Sequence, residues 1–218
     1  MVFLIDNVIN VYDTFDLAHN IDHVEDVIKF TVELFNHEDK LVNSIDNKKL
    51  GIIIACYHDI GIQISRDNHE LHGVKIFREH YKKYPILKIN IKPSEKELIE
   101  EAILQHRSSY KGIKTPLGKI ASDADSYSSF KTKFSLMKRS IQFNMNTGLD
   151  RKEIQDNTYN HFKEKYSKDG YKVFYFEYTK LLFNPKLEFI RELIENKDEF
   201  TKVFNYSYNE IIGGLKDD

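Results

Sequence analysis

The chain has 218 residues, of which 41% are hydrophobic and 30% are charged, and its formal net charge is −2. This is the composition of a globular protein with one sizeable core, and the small charge gives no reason to expect a nucleic acid or an anionic membrane as a partner. The single cysteine, Cys56, cannot form an internal disulfide, which favours a reducing compartment. Residues 1–6 turn acidic too early for a secretory signal, and no apolar run approaches the roughly 20 residues of a membrane-spanning helix, so a cytoplasmic protein is expected.

Helical periodicity of the apolar residues dominates the first 130 positions. Residues 50–57 are nearly all apolar and fit either a buried strand or a buried helix; a helix is favoured because nothing nearby resembles a partner strand. Ser94 and Glu97 stand at capping-box spacing, which predicts a helix start there. Five helices are predicted, over residues 23–35, 47–59, 69–84, 95–106 and 117–130.

Beyond residue 127 the composition shifts towards phenylalanine, tyrosine and lysine. Asn184 followed by Pro185 predicts the start of a last amphipathic helix, with asparagine as its N-cap and proline at its first position. No repeat and no linker interrupts the chain. The sequence therefore predicts one all-α domain over residues 1–218, with a core of residues 15–130 and a C-terminal helical extension of residues 131–218.

Histidine and aspartate residues form one ordered series before residue 126. The series consists of His19, His23, His58, Asp59, His69, His106, Asp123 and Asp125. Imidazole and carboxylate together suit divalent zinc, manganese and iron. Six such ligands from separate segments are enough to hold two ions with open positions for water, which points to hydrolysis.

Each candidate ligand also has an ordinary structural interpretation. His58 and Asp59 end the most hydrophobic stretch of the chain, where an unpaired polar pair would cost several kcal/mol, so a buried hydrogen bond between them is the alternative to metal binding. His106 points inward by its spacing, and a single inward histidine is more often a core residue than a ligand. The choices that stay open are His19 or His23, His69 or His72, and Asp123 or Asp125.

The whole series resembles the signature of the HD-domain superfamily of metal-dependent phosphohydrolases. His23 corresponds to the first histidine, His58 and Asp59 to the His-Asp pair, and Asp125 to the later aspartate in an Ala-Asp context. The segments that contain His69 and His106 are similar to the branch of this superfamily that binds a second metal. The resemblance covers about residues 15–130 and implies an all-α, HD-domain-like helical bundle.

Two positions depart from the pattern of the superfamily. Asp26 stands three residues after the first histidine, where many members have arginine. The acidic residue often found shortly after the last aspartate is missing from residues 126–129. The loop after His106 only loosely resembles that of cyclic-di-GMP phosphodiesterases, so this substrate is not expected.

The resemblance implies a metal-dependent phosphohydrolase that cleaves a phosphomonoester or phosphodiester, with a nucleotide as the expected substrate, by metal-activated hydroxide. One or two divalent ions, from Mn, Fe, Zn, Mg or Ni, are the expected cofactors. The implied metal ligands are His23, His58, Asp59, His69, His106 and Asp125. His58 and Asp59 are the expected catalytic residues, with Asp59 bridging the two ions, and Arg107 and Lys111 are the expected substrate-binding residues. The alternative is a non-catalytic regulatory protein that binds a metal or a nucleotide; the oligomeric state stays open.

Overall fold

The computed structural model describes residues 8–16, 18–38 and 45–214, and within these ranges the regular elements are helices, with no strand. The all-α prediction is therefore confirmed. The acidic start of the chain, residues 1–6, lies outside the described ranges. The helices are α1 (Ile21–His37), α2 (Ile45–Tyr57), α3 (His69–Lys83), α4 (Pro85–Asn90), α5 (Pro93–Gln105), α6 (Pro116–Asp125), α7 (Tyr127–Phe130), α8 (Ser135–Met145), α9 (Arg151–Tyr166), α10 (Glu177–Glu195) and α11 (Lys197–Gly214), and two short 3-10 turns span Asn10–Thr14 and Ile60–Gln63.

Helix α2 is the central element of the bundle, since it packs against α1, α3, α5 and α6. Its nearly continuous apolar run is buried on several sides, which confirms the helix over the alternative strand. Gly51 allows the close approach of α1, because a Cβ at this position would lie 2.8 Å from the Phe35 ring. The buried hydroxyl of Tyr12 donates to the carbonyl of Cys56 at 2.9 Å near the end of α2. These contacts fix the point at which the His58–Asp59 pair leaves the helix.

Helix α5 starts earlier than its predicted capping box. Pro93 occupies the first turn, and the backbone N–H of Lys92 donates to Oε2 of Glu95 at 2.7 Å. Proline suits the first helical position because its fixed φ matches the helix and its missing N–H would have had no partner there. The box predicted from Ser94 and Glu97 is therefore wrong by two residues.

Helix α10 runs through Pro185, so the helix start predicted at Asn184 is wrong. The helix begins at Glu177, and its buried residues continue along one face on both sides of the proline. These residues are Thr179, Phe183, Leu187 and Ile190. Their burial outweighs the backbone hydrogen bond that proline removes, which costs about 3 kcal/mol in a helix interior.

The C-terminal helices cover one side of the bundle. Helix α8 packs against α9 and α11, α9 against α10, and α10 reaches α1. A single hydrophobic cluster extends from Val8 to Phe204 across both parts of the chain. The division into a core of residues 15–130 and an extension of residues 131–218 stays a prediction. No helix within the described ranges is both long enough and apolar enough to cross a membrane.

Candidate metal centre

The six predicted ligands lie at or next to helix ends that meet in the centre of the bundle. His23 is in the first turn of α1, where the Asn20 side chain caps the helix by accepting from the His23 backbone N–H. His58 and Asp59 follow α2 directly, and His69 opens α3. His106 follows the last residue of α5, and Asp125 is the last residue of α6. The structure thus brings all six side chains together, four of them buried and those of His69 and Asp125 partly exposed.

Four of these residues form a first cluster. The Nε2 atoms of His23 and His58 lie 3.2 Å apart. Oδ2 of Asp59 is 3.4 Å from the first of these nitrogens and 3.2 Å from the second. Oδ1 of Asp125 is 3.3 Å from Nε2 of His23 and 3.8 Å from that of His58. The four candidate ligand atoms all lie within 4.8 Å of one another.

A second cluster uses the other oxygen of Asp59. Oδ1 of this residue lies 3.1 Å from Nε2 of His69 and 3.5 Å from Nε2 of His106. The two histidine nitrogens are 3.1 Å apart. Asp59 therefore presents one carboxylate oxygen to each cluster, which is the geometry a bridging ligand requires.

Hydrogen bonds to the opposite ring nitrogens determine which atom each histidine presents. Nδ1 of His58 donates to Ala55 O at 2.8 Å, Nδ1 of His106 to Ile103 O at 2.7 Å, and Nδ1 of His69 to Arg66 O at 3.0 Å. A carbonyl oxygen can only accept, so each Nδ1 carries a proton and each neutral ring has its lone pair on Nε2.

If all the rings were neutral, Nε2 lone pairs would face each other at 3.1–3.2 Å and repel, so each histidine pair requires a shared cation, which can be a proton or a metal ion. Imidazole held by a hydrogen bond on its other nitrogen is also the usual form of a metal-binding histidine. The donor set of both clusters therefore fits divalent metal ions.

The ring of His23 is held by a side chain instead of a carbonyl. Its Nδ1 lies 3.1 Å from Oγ of Ser128, and this hydroxyl donates to Asp26 at 3.2 Å. Because the hydroxyl proton points to Asp26, the oxygen accepts from the ring. Lys131 donates to the same carboxylate at 2.9 Å. The two departures from the superfamily pattern are thus one feature: Asp26 and Ser128 together orient His23.

Burial and mutual charge set the protonation of the clusters in the absence of an ion. Burial alone would raise the pKa of Asp59, but the charge of His58 and hydrogen bonds from the surrounding histidines hold that pKa well below its usual range. Burial lowers the pKa of His58, yet the neighbouring Asp59 and Asp125 carboxylates raise it to about 9. Hydrogen bonding by His23 likewise lowers the pKa of Asp125 against the effect of burial. Both carboxylates are therefore ionised and able to bind a cation.

Asp123 has a structural role and belongs to neither cluster. Its carboxylate accepts from the backbone N–H groups of Tyr175 at 3.0 Å and Phe176 at 3.1 Å, just before α10 begins. Asp125, two residues on, points to the opposite side and joins the first cluster. The buried Asp123 therefore ties α6 to the C-terminal helices.

The structure also distinguishes the two histidines in each of the other open choices, His19 or His23 and His69 or His72. Among the described residues, the two clusters contain His23 and His69 and neither His19 nor His72. Nδ1 of His19 lies 3.0 Å from the Asp16 carboxylate, which also accepts from Arg66. His19 thus belongs to a polar group at the edge of the site.

A cleft of about 660 Å³ opens beside the second cluster, and the side chain of His69 lies on its wall. Arg107, predicted to bind substrate, lines this cleft, whereas Lys111 is exposed and is not among the lining residues. The further lining residues are Ala18, His19, Arg66, Asp67, Ser129, Leu136, Arg139, Ser140, Phe143, Asn144, Asn157, Asn160, His161, Glu164, Lys165 and Tyr166.

Helices α8 and α9 form one wall of the cleft, which sequence reasoning missed because it treated these segments as packing elements. A signal was present in α9, where polar residues recur at helical spacing opposite buried Phe162. The polar residues are Asn157, Asn160, His161 and Glu164. Arg139 on α8 has no comparable pattern around it, and only the packing of α8 against α9 identifies it.

Comparison with known proteins agrees with this geometry. Neither curated proteins nor solved structures give a significant match to the chain. The family model described as the HD domain matches residues 20–129, which is half of the chain and contains every residue of both clusters. The chain therefore belongs to the HD domain family.

Proposed function

We propose that this protein is a metal-dependent phosphohydrolase that cleaves a small phosphomonoester or phosphodiester, with a nucleotide as the expected substrate. The observation that carries the proposal is the pair of histidine clusters joined by the two oxygens of Asp59 beside an open cleft. His23, His58, Asp59 and Asp125 would hold one divalent ion. Asp59, His69 and His106 would hold a second. Ions with affinity for imidazole and carboxylate, such as Zn, Mn and Fe, suit this set.

Divalent ions in such a site supply a hydroxide nucleophile at neutral pH and neutralise charge on the phosphoryl oxygens. The remaining work belongs to the protein. Asp59 fixes the two halves of the site relative to each other, because its two oxygens face different clusters. His58 is held by Ala55 and cannot rotate away without losing a buried hydrogen bond.

Substrate would reach the clusters from the cleft and would meet Arg107 there. Its guanidinium donates to Glu70 at 3.2 Å and lines the cleft together with His69 of the second cluster. A planar guanidinium matches two phosphoryl oxygens at once. Binding by Arg107 orients the phosphate towards the clusters, and a contribution from the exposed Lys111 stays a prediction.

The test combines metal analysis with a hydrolase screen of the purified chain. We expect two divalent ions per chain and metal-dependent turnover of at least one nucleotide or nitrophenyl phosphate ester. Asp59→Asn keeps the shape of the side chain but removes its charge, so it should lose bound metal and at least about 100-fold in turnover. Asp156→Asn, on the exposed face of α9, is the matched control and should behave like wild type.

Two results separate this proposal from its alternative. Near-normal turnover of Asp59→Asn would contradict the bridging role. Tight metal binding without turnover of any ester in the screen would instead support the non-catalytic, regulatory interpretation.

A further inference from the structure

We propose that Arg139 and Lys165 form a subsite for a second phosphate group, so that the substrate of this site carries at least two linked phosphates, as a nucleoside diphosphate or triphosphate does. This inference rests on the proposed function, whose chemistry occurs at the clusters. It assigns a role to the wall formed by α8 and α9, which lies outside the residues matched by the family.

Four cationic side chains line the cleft, and they divide into two pairs. Arg66 is bound to Asp16, and Arg107 is bound to Glu70 at 3.2 Å. Arg139 and Lys165 also line the cleft, and within the described part of the chain neither has a carboxylate within ion-pair distance. These two cations therefore have charge to offer a ligand without breaking an existing ion pair.

Arg139 and Lys165 line the same cleft as His69 of the second cluster. Burial lowers the pKa of Arg139, whereas the negative charges of Asp125 and Asp59 raise it. Burial also acts to lower the pKa of Lys165, but Tyr166 and Asp125 outweigh it and raise this pKa. Keeping partly buried cations without an ion pair is costly, and a ligand that brings negative charge offsets this cost.

The charges of the clusters show how much phosphate the metal centre itself can balance. Two divalent ions would bring four positive charges, and Asp59, Asp125 and the hydroxide nucleophile would remove three of them. The charge of about −1.5 to −2 on one phosphate group exceeds the remaining positive charge by about one at most. A single phosphate therefore cannot balance both Arg139 and Lys165, whereas a second phosphate supplies further negative charge.

The size of the cleft also fits a substrate larger than one phosphate. Its volume of about 660 Å³ lies within the roughly 300–1,000 Å³ that binds drug-sized ligands. The two acidic residues of the lining, Asp67 and Glu164, are exposed and do not pair with Arg139 or Lys165. Both cations therefore line the cleft with their charge available to a ligand.

The test compares substrates that differ only in phosphate number. Turnover of adenosine monophosphate, diphosphate and triphosphate is measured for wild type, Arg139→Gln and Lys165→Gln. We expect kcat/KM for the diphosphate and triphosphate to fall about 10- to 100-fold in each variant, the effect of one lost charge-assisted hydrogen bond, and kcat/KM for the monophosphate to change less than about twofold. Equal losses on all three nucleotides, or no loss, would overturn the subsite.

Matched controls come from the neighbouring positions. Lys138→Gln removes a cation from α8 that pairs with Glu210 at 2.7 Å on another face, and Lys163→Gln removes an exposed cation from α9. Both should keep the wild-type ratio between substrates. Arg139→Lys, which retains the charge, should recover part of the diphosphate activity and shows that loss in Arg139→Gln is not misfolding.

A binding measurement keeps the inference testable without turnover. Calorimetry compares methylenediphosphonate with inorganic phosphate on the manganese-loaded protein; we expect the diphosphonate to bind at least about tenfold more tightly, and Arg139→Gln and Lys165→Gln to remove the difference. If this preference exists but no ester is hydrolysed, the hydrolase proposal fails and the subsite stands. If esters are hydrolysed and wild type binds both anions equally, the subsite fails and the hydrolase proposal stands.

Discussion

Asp26 influences the site without belonging to either cluster. It accepts from Ser128 and Lys131, and Ser128 in turn orients His23. Side chains that orient a metal-binding histidine in this way contribute to both its ring position and its basicity. The position therefore controls one cluster selectively, since His69 and His106 are oriented by backbone carbonyls.

Asp26→Asn should weaken the first metal site by about 10- to 100-fold and leave the second site close to wild type. Titration of the apoprotein with Zn or Mn, with both binding steps resolved, measures this. Glu25→Gln, on the exposed side of the same helix, is the control and should change neither step. Equal weakening of both steps, or no weakening, would refute a specific role in orienting His23.

Most of the candidate metal ligands could be predicted from individual residues of the sequence, for a chemical reason. Histidine and aspartate next to long apolar runs are unusual enough that their order carries information. Asp123 and Asp125 could not be separated in this way, because both lie in α6 and only the backbone N–H groups of Tyr175 and Phe176 distinguish them. Those partners are about fifty positions away along the chain, where sequence spacing says nothing.

Helix α3 is positioned by a glycine in the turn before it. A Cβ at Gly61 would overlap the carbonyl oxygen of His69 and lie 2.6 Å from the backbone nitrogen of Gly73. Only glycine therefore lets the Ile60–Gln63 turn contact the start of α3. This contact sets the distance between Asp59 and His69.

Gly61→Ala should force the turn and α3 apart and thereby impair the second metal site more than the first. Metal titration should show that binding to the second site is lost or shifted to a higher metal concentration. Chemical denaturation should show a free energy of unfolding that is lower by about 1–3 kcal/mol, as for other overpacked sites. Gly213→Ala, where a Cβ would meet nothing within 4 Å, is the control. A variant with both binding steps intact would show that the close approach is not needed.

The helices were predictable where one face is buried, as in α1 and α3, because burial imposes a regular apolar spacing. Their ends were less so. Pro93 moved the start of α5, and packing around Phe183 and Leu187 carried α10 through Pro185. The wall formed by α8 and α9 could not be inferred, since it depends on how the C-terminal helices dock on the bundle.

Lys172 connects the C-terminal part of the chain to the rest of the molecule. Its buried amino group donates to Ser126 and to Ser108, at 3.1 Å in the second case, and thus reaches the residue that follows α6 and the loop after α5. Burial lowers its pKa to about 7, although Asp123 acts in the opposite direction. An unfolded lysine has a pKa of about 10.4.

This difference makes stability depend on pH. Between about pH 7 and pH 10 the unfolded chain binds a proton at Lys172 that the folded chain does not, so this residue should make the free energy of unfolding rise with pH, by up to about 1.4 kcal/mol per pH unit. Lys172→Met lacks this dependence. Urea denaturation of both proteins at several pH values should show that the free energy of unfolding of wild type rises relative to that of the variant as pH rises.

Lys168→Met is the control for the lysine-to-methionine change, because Lys168 is exposed and pairs with Glu195 at 2.9 Å. Its difference from wild type should stay nearly constant over the same range. A constant difference for Lys172→Met as well would contradict a buried lysine that is neutral in the folded state.

The hydrogen bonds that hold His58, His69 and His106 each reach a carbonyl three residues earlier in the chain. Each ring is thus immobilised by its own turn of backbone, and the loss of its rotational freedom is part of the cost of folding, not of metal uptake. An arriving ion then meets donors that need little further ordering, which favours tight binding. The same rigidity limits how far the donors can move to suit an ion of another radius or coordination preference, so this centre should discriminate between metals by fit as well as by affinity.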